Sequence, residues 1–213
     1  LEGIEVKHLV KKNEKFFIST NRGNFEADQV VIATGAYHVP NRHPLSERLP
    51  TNILQIDARE YKNANTLPDG PVLVVGSGQS GCQIAEDLFF EKRKVHLSVG
   101  SAPRSPRRYR GRDVVDWLDR MGYYSMPIGE HDDPKSVRNK TNHYLTGRDN
   151  GREIDLRKRA KEGMSLHGRL KDLTIDNIRF SNDLSKNLDG ADSVYCRIRN
   201  SIDEWISKNN IDA

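Results

Sequence analysis

The chain has 213 residues, of which 35% are hydrophobic and 30% are charged, and its formal net charge is +4. This length accommodates one full domain and part of another, and so modest a charge is not the signature of a dedicated nucleic-acid-binding protein. No apolar run approaches the ~20 residues that span a bilayer, and two cysteines are too few for a disulfide framework. We therefore expect a soluble cytoplasmic α/β protein with neither a nucleic-acid nor a membrane partner.

The first 27 residues alternate apolar and polar side chains in three short runs. The runs at residues 3–10, 16–20 and 23–27 predict strands, and turn-forming residues separate them at positions 13–14 and 21–23. Together they predict a small antiparallel β-meander.

An apolar run at residues 29–32 is followed by the small residues Ala33, Thr34 and Gly35. The sequence predicts a strand that ends in a turn, with Gly35 at a positive φ that glycine adopts at no steric cost. A proline-rich stretch then indicates passage from one domain into the next. We divide the chain into a first segment at residues 1–45, a linker at 46–67 and a second domain at 68–213.

A strand, a turn, a helix and a second strand follow one another between residues 71 and 99. Residues 72–75 form an apolar β-branched run, which predicts a strand buried on both faces. Apolar residues recur at helical spacing over positions 84–89, and the cations at 92–94 suit the negative end of that helix's dipole. Residues 95–99 predict the second strand. This order is typical of half of a Rossmann-like dinucleotide-binding domain.

The turn in this unit carries a Gly-x-Gly-x-x-Gly motif, and we call residues 76–81 the glycine loop. Gly76 permits the tight turn, Gly78 lets the backbone approach a pyrophosphate, and Gly81 allows close packing of the helix on the strand. The helix N-terminus then offers unpaired N–H groups to the phosphates. The alternative is a glycine-rich turn in an unrelated α/β domain. The candidate cofactor-binding residues are Gly76, Ser77, Gly78, Gln79, Ser80 and Gly81.

The end of the second strand indicates which dinucleotide binds. NAD-preferring sites usually carry an acidic residue there, and residues 96–101 contain none. An arginine cluster follows, which favours a 2′-phosphate and therefore NADP over NAD. Arg104 lies nearest the strand end and is the first candidate ligand, helped by Arg107 or Ser98. The alternative is a solvated basic loop. The arginine cluster comprises Arg104, Arg107, Arg108, Arg110 and Arg112.

Cys82 follows the glycine loop directly, near the predicted helix N-terminus. That position favours a thiolate, but a partly buried cysteine that acts as a small apolar residue is the alternative. Elsewhere no set of His, Cys and carboxylate residues has metal-ligand spacing, so we predict no metal site, and no Ser/His/Asp grouping identifies a catalytic residue.

The second half of the chain contains five further predicted segments. Helical spacing over residues 114–121, with Asp113 at the start and Gly122 at the end, predicts a core-facing helix. Residues 124–150 predict a long polar excursion, in which 139–144 either approaches the nicotinamide or substrate or forms a plain surface loop. Residues 165–167 predict a strand, 173–175 and 178–180 a hairpin, and 194–206 an amphipathic final helix.

Several of these segments resemble the flavin-containing monooxygenases, and most closely their bacterial branch, which is related to the Baeyer–Villiger monooxygenases. The resemblance lies in Ile32 to Tyr37, in residues 67–81 around the glycine loop, and in residues 106–113, 151–156 and 163–169. It implies that Ala33, Thr34 and Gly35 link an FAD domain to an inserted NADPH domain, and that the glycine loop holds NADPH. In such enzymes NADPH reduces FAD, which then activates O2, so the flavin supplies the chemistry.

The chain departs from the family pattern at three places. No FAD-type glycine motif precedes residue 29, so we expect an internal fragment of a longer flavoprotein that is inactive alone. Asp57 and Ala58 stand where the family has histidine and serine, and Gly100 stands where relatives carry a strand-end arginine. The alternatives are therefore a flavin-dependent dehydrogenase or reductase without oxygenation, and a non-catalytic dinucleotide-binding module. The substrate would be a small molecule, and a homodimer is left open.

Overall fold

The computed structural model describes residues 2–35 and 39–213, and its contacts divide the chain into two compact units, Leu1–Val39 and Pro40–Ala213. Leu1, and Ala36 and Tyr37 of the segment that carries the family resemblance, lie outside the described residues.

The first unit contains the predicted β-meander. Its strands pair antiparallel in the order β1-β2-β3. Asn13 and Glu14 form the first turn with positive φ values of 48° and 65°, as a two-residue hairpin turn requires. The meander is confirmed. Its first strand starts later than predicted, and it also ends later because it continues to the turn. The strands are β1 (Val6–Lys12), β2 (Lys15–Thr20) and β3 (Gly23–Ala27).

The predicted strand at residues 29–32 is wrong for the described structure. A strand is stabilised by hydrogen bonds to a neighbouring strand, and this run pairs with none of the described strands. Val31 and Ile32 remain 86% and 75% exposed. Gly35 has φ 73°, so the predicted positive φ is confirmed.

The second unit contains the remaining regular elements and three short 3₁₀ turns at Pro44–Arg48, Ala64–Thr66 and Ile128–Glu130. Within α4, Asp149 and Asn150 have positive φ values, so this element is a single irregular turn. The elements are β4 (Val72–Val75), α1 (Gln79–Phe90), β5 (Val95–Ser98), β6 (Arg108–Tyr109), β7 (Arg112–Asp113), α2 (Val114–Arg120), α3 (Pro134–Asn139), α4 (Arg148–Gly151), α5 (Leu156–Lys161), β8 (Ser165–His167), β9 (Leu170–Leu173), β10 (Ile178–Phe180) and α6 (Leu184–Lys208).

A parallel sheet of order β4-β5-β8 forms the centre of this unit. The helix α1 connects β4 to β5 and packs on one face of the sheet, where Leu88 and Leu97 are fully buried. The strand–helix–strand prediction is therefore confirmed, and the fold is Rossmann-like. Burial of β4 on both faces was wrong, since β4 is an edge strand of the described sheet and Val75 is 45% exposed.

The segment that leads into β4 is fastened by one arginine. The Arg93 guanidinium donates hydrogen bonds to the carbonyl oxygens of Ala64, Leu67, Pro68 and Gly70. Because α1 ends at Phe90, the predicted role of the cations at 92–94 at the helix end is not seen, and no basic residue lies in its last turn.

A second core forms where α2 meets α6. Trp117 is fully buried against Ile202, and its ring makes an edge contact with Trp205 at 6.2 Å between centroids. Asp113 caps α2 by accepting a hydrogen bond from the Val115 N–H at 3.0 Å, and Gly122 follows with φ 77°. The predicted helices and their core faces are confirmed.

The long crossover from β5 to β8 contains α2 to α5, and the antiparallel pair β9-β10 follows it. This hairpin is confirmed, although its first strand lies three residues earlier than predicted. Within the described residues, no helix combines the length and apolar character that a bilayer crossing requires.

Candidate dinucleotide-binding site

The glycine loop joins the end of β4 to the start of α1. Gly76 has φ +102°, and its N–H donates to the Ser98 carbonyl at 3.0 Å. Gly78 is the N-cap of α1 and supplies no side-chain cap, and the first helical turn contains no acidic residue. The first N–H groups of this 12-residue helix therefore have neither an intrahelical partner nor a side-chain cap, and no acidic residue of the first turn repels an anion.

The three glycines of the loop meet different surroundings. A Cβ atom built on Gly78 would meet nothing within 4 Å, so the space beside this residue is open. A Cβ atom on Gly81 would lie 1.9 Å from the carbonyl oxygen of Gly76, so only glycine fits there. This geometry suits a turn at Gly76, close backbone approach at Gly78 and tight packing at Gly81, which are the roles that the motif predicts.

The two serines of the loop differ in exposure. Ser77 is 2% exposed, and its Oγ accepts a hydrogen bond from the Gly100 N–H at 2.9 Å. It thus ties the glycine loop to the loop that follows β5. Ser80 is exposed on the first turn of α1.

Ser98 uses its hydroxyl within the sheet. The side chain is buried, its Oγ donates to the Gly168 carbonyl at 3.1 Å, and it accepts from the Leu170 N–H at 3.0 Å. A contact between Ser98 and a cofactor phosphate would require these bonds to be exchanged.

Arg104 lies among carboxylates. Its guanidinium is 13% exposed and lies 3.2 Å from Asp192, 3.5 Å from Asp155 and 4.0 Å from Glu153. It also stacks over the ring of Tyr195 at 4.2 Å from the centroid. The charge of this arginine is therefore neutralised within the protein, and a 2′-phosphate would compete with these partners.

The rest of the arginine cluster is also partnered. Arg107 contacts Asp113 at 2.8 Å, while its buried Nε has no hydrogen-bond partner in the described residues. The solvated basic loop describes only part of the cluster, since Arg108, Arg110 and Arg112 are exposed but their guanidiniums also hold the loop to neighbouring elements. The other pairs are Arg108 with the Asn150 carbonyl at 3.0 Å, Arg110 with Asp203 at 2.6 Å, and Arg112 with Asp116 at 3.2 Å.

Ala33, Thr34 and Gly35 belong to the first unit, where they are exposed and have no regular secondary structure. Asp57, at the family's histidine position, lies in a turn at residues 57–60. Hydrogen bonds from Arg59 lower the pKa of Asp57 to about 2. Tyr61 donates to Asp87 at 2.5 Å, and burial followed by this carboxylate raises the pKa of the phenol.

Cys82 is fully buried in the first turns of α1. Its Sγ lies 3.2 Å from the Ser77 carbonyl oxygen, and burial raises the pKa of the thiol. The small apolar role is therefore confirmed and the thiolate is wrong, because desolvation outweighs the helix N-terminus.

A contact that the sequence analysis missed joins Gln79 to Leu145. The Gln79 Nε2 donates to the Leu145 carbonyl and its Oε1 accepts from the Leu145 N–H, both at 2.7 Å. The adjacent Tyr144 is 2% exposed, so the plain surface loop is wrong at this point, whereas residues 139–142 are exposed. No local pattern marks Leu145, since its backbone groups are the ones that bind.

The crossover is fastened further along α1 by ion pairs, of which those of Glu86 involve a buried carboxylate. Glu86, 1% exposed, contacts Arg152 at 2.8 Å and Arg159 at 3.2 Å, and Arg148 pairs with the neighbouring Asp87. Among the described residues no group of three or more His, Cys, Asp and Glu is placed to hold a metal ion.

Comparisons with known proteins show the family of the chain. The family model described as "Pyridine nucleotide-disulphide oxidoreductase" matches residues 2–160. The chain is 39% identical over 125 residues to an "Uncharacterized oxidoreductase CzcO-like" from Geobacillus kaustophilus, covering 58% of this chain and 36% of the relative. It is 33% identical over 131 residues to a thiol-specific monooxygenase from Saccharomyces cerevisiae, covering 54% and 28%.

A solved flavin monooxygenase from Stenotrophomonas maltophilia superposes with a TM-score of 0.51 and 14% identity, covering 85% of this chain and 46% of that one. At this identity the likeness concerns the fold alone. The chain spans about a third of the length of the curated relatives it matches.

Proposed function

The chain belongs to the pyridine nucleotide-disulphide oxidoreductase family, and we propose that its second unit is the NADPH-binding region of a flavin monooxygenase-like oxidoreductase. The observation that carries this proposal is the uncapped N-terminus of α1 with open space beside Gly78. A pyrophosphate placed there accepts hydrogen bonds from the first N–H groups of the helix.

The same proposal assigns a role to each segment of the chain. Residues 1–45 would belong to an FAD-binding segment, 46–67 to a linker, and 68–213 to the NADPH-binding domain. In the full-length protein the flavin would supply the redox chemistry, and NADPH would supply the reducing equivalents. The residues of this chain contribute binding and orientation, and none of them is assigned a catalytic role.

The described residues of the first unit do not fit FAD by themselves. They contain three strands and no helix, so they offer no helix N-terminus for the flavin pyrophosphate. We expect the purified 213-residue chain to be colourless. A stoichiometric flavin spectrum from a monomer would contradict this assignment.

Asp57 favours a second candidate, a flavin-dependent dehydrogenase or reductase that does not oxygenate. Its carboxylate is held in an ion-paired turn where the resembling family has a histidine. Oxygen consumption per NADPH oxidised by the full-length protein, with and without candidate substrates, distinguishes the two. We also propose a small-molecule substrate and a cytoplasmic location, and the partnered arginine cluster supports the exclusion of nucleic acid.

The direct test of the site is Gly78→Val with calorimetric titration of NADPH. Gly78 has φ −69° and open space beside it, so the variant should keep the fold and lose detectable binding. Gly190→Val is the matched control, because a Cβ on Gly190 also meets nothing within 4 Å and this residue lies on α6. Unchanged NADPH affinity in Gly78→Val would show that the loop is only a structural turn.

A further inference from the structure

The segment at residues 143–146 is held between two parts of the proposed cofactor site. At one end the Tyr144 N–H donates to the Pro103 carbonyl at 3.1 Å, in the loop after β5 where the ribose of a bound dinucleotide lies. At the other end Leu145 is bonded to Gln79, in the helical turn that would face the pyrophosphate.

The Gln79 amide is matched to the backbone of Leu145. One side chain donates to the carbonyl and accepts from the N–H of the same residue, as a neighbouring strand would do. Gln83, one turn further along α1, donates only to that carbonyl at 2.8 Å. Within the described structure, Gln79 is thus the partner of the Leu145 N–H.

The side chains of the 143–146 segment are packed into the protein interior. Tyr144 is 2% exposed and Thr146 is 5% exposed. His143 is also partly buried. The segment is therefore packed into the core of the second unit through Tyr144, in addition to the hydrogen bonds at its two ends.

We propose that Gln79 is a positioning residue that fixes the 143–146 segment as a wall beside the adenosine half of the cofactor. This inference rests on the proposed function. The backbone N–H of Gln79 would face the pyrophosphate while its side chain orients Leu145. Binding of the phosphates and ordering of the wall therefore reinforce each other through one residue.

The competing explanation is that the Gln79 contact only closes the crossover onto α1. Other contacts already do this, because Arg148 pairs with Asp87, and Arg152 and Arg159 with Glu86. Gln79→Met, which keeps the length of the side chain and removes both hydrogen bonds, should therefore remain folded. A thermal melt checks this.

The test compares Gln79→Met with Gln83→Met in the 213-residue chain. Gln83→Met is the matched control, since it removes one bond to the same carbonyl but leaves the Leu145 N–H paired. For Gln79→Met we expect NADPH and 2′,5′-ADP to bind roughly three- to thirtyfold more weakly, the equivalent of one or two ordinary hydrogen bonds. For Gln83→Met we expect a change within about threefold for both ligands.

Hydrogen exchange at the Leu145 amide supplies a second readout, because a purely structural role of Gln79 predicts faster exchange without any return of protection when ligand binds. In Gln79→Met this amide should exchange faster without ligand and regain protection when 2′,5′-ADP is added. Faster exchange with unchanged affinity would overturn the proposal, because the wall would then not touch the cofactor, and equal losses in the two variants would overturn it as well. If the unsubstituted chain binds neither ligand, the proposed function itself fails.

Discussion

The glycine loop and the arginine cluster were both predicted to bind the cofactor, and they reach their conformations in different ways. The glycine loop is determined within six residues, by the positive φ of Gly76 and the contact of Gly81 with the Gly76 carbonyl. Arg104 and Arg110 instead depend on partners on α6, which for Arg110 lie 93 residues further along the chain. A site built from backbone groups can thus be predicted locally, whereas a site built from long charged side chains depends on the whole fold.

The largest effect is expected from Gly81→Ala, which tests whether the conformation of the glycine loop is determined locally. The added Cβ would lie 1.9 Å from a backbone carbonyl oxygen, so β4 and α1 must separate. We expect the free energy of unfolding to fall by about 3 kcal/mol, measured by urea denaturation. Gly78→Ala is the control, with an expected change below about 0.5 kcal/mol. Equal effects of the two substitutions would mean that the loop is not locally determined.

Arg104→Ala tests the other region. If the guanidinium stabilises the fold through its ion pairs with the three carboxylates, the substitution lowers the free energy of unfolding by about 1–3 kcal/mol, since the Arg104 side chain is only partly exposed. If it also binds the 2′-phosphate, NADPH affinity falls roughly ten- to a hundredfold while NADH affinity hardly changes. Dissociation constants of both cofactors, together with urea denaturation, separate the two roles. Equal affinities of the unsubstituted chain for NADPH and NADH would refute the NADP assignment.

A smaller effect is expected from pH at His167, on strand β8. His167 stacks on Phe180 at 4.3 Å, and burial followed by the neighbouring His96 lowers its pKa from the ordinary 6.5. As pH falls below that value, the unfolded chain binds the proton before the folded chain does, so the free energy of unfolding decreases. It should be nearly flat above about pH 7 and fall towards about pH 5.

His167→Phe checks the origin of this slope. Phenylalanine keeps the stack on Phe180 and removes one titrating group, so the decrease between about pH 7 and pH 5 should become shallower. His143, whose pKa burial also lowers, should account for part of the slope that remains. Urea denaturation at both pH values measures it, and an unchanged slope would exclude His167 as a source.

The smallest effect should come from the exposed end of the arginine cluster. Arg112 and Asp116 form a pair in which both side chains are 44% exposed, so Arg112→Ala should change the free energy of unfolding by less than about 0.5 kcal/mol. NADPH affinity should not change. A loss as large as that of Arg104→Ala would show that the cluster acts as one unit.

The elements that could be predicted from the sequence are those whose signals are local. The meander, the glycine loop, the Asp113 cap of α2 and the apolar stripe of α6 each follow from residues within one element. Val31 and Ile32 have strong strand propensity but pair with no described strand, and Val75 is exposed because β4 is an edge strand. Whether such residues pair in a sheet or become buried depends on the elements that pack beside them, and the local sequence does not contain this information.

The candidate site likewise contains features that the local sequence predicts and features that it does not. The open space at Gly78 and the close approach at Gly81 follow from the motif, because a missing Cβ has the same consequence in any such turn. The Gln79 contact with Leu145 could not be predicted, since its partner is a backbone group in an irregular crossover. The burial of Cys82 likewise depends on the core that assembles around α1.

The contacts of Arg93 indicate which segment of the molecule unfolds locally first. Its guanidinium holds four carbonyl groups of the segment before β4, which has only one 3₁₀ turn of its own. That segment is therefore ordered by the side chain of Arg93, which follows α1, together with the core contacts of Ala64 and Leu67, and it should unfold locally before the sheet does. Native-state exchange would report residues 64–70 as a separate low-stability unit, whose opening free energy falls when Arg93 is replaced by alanine.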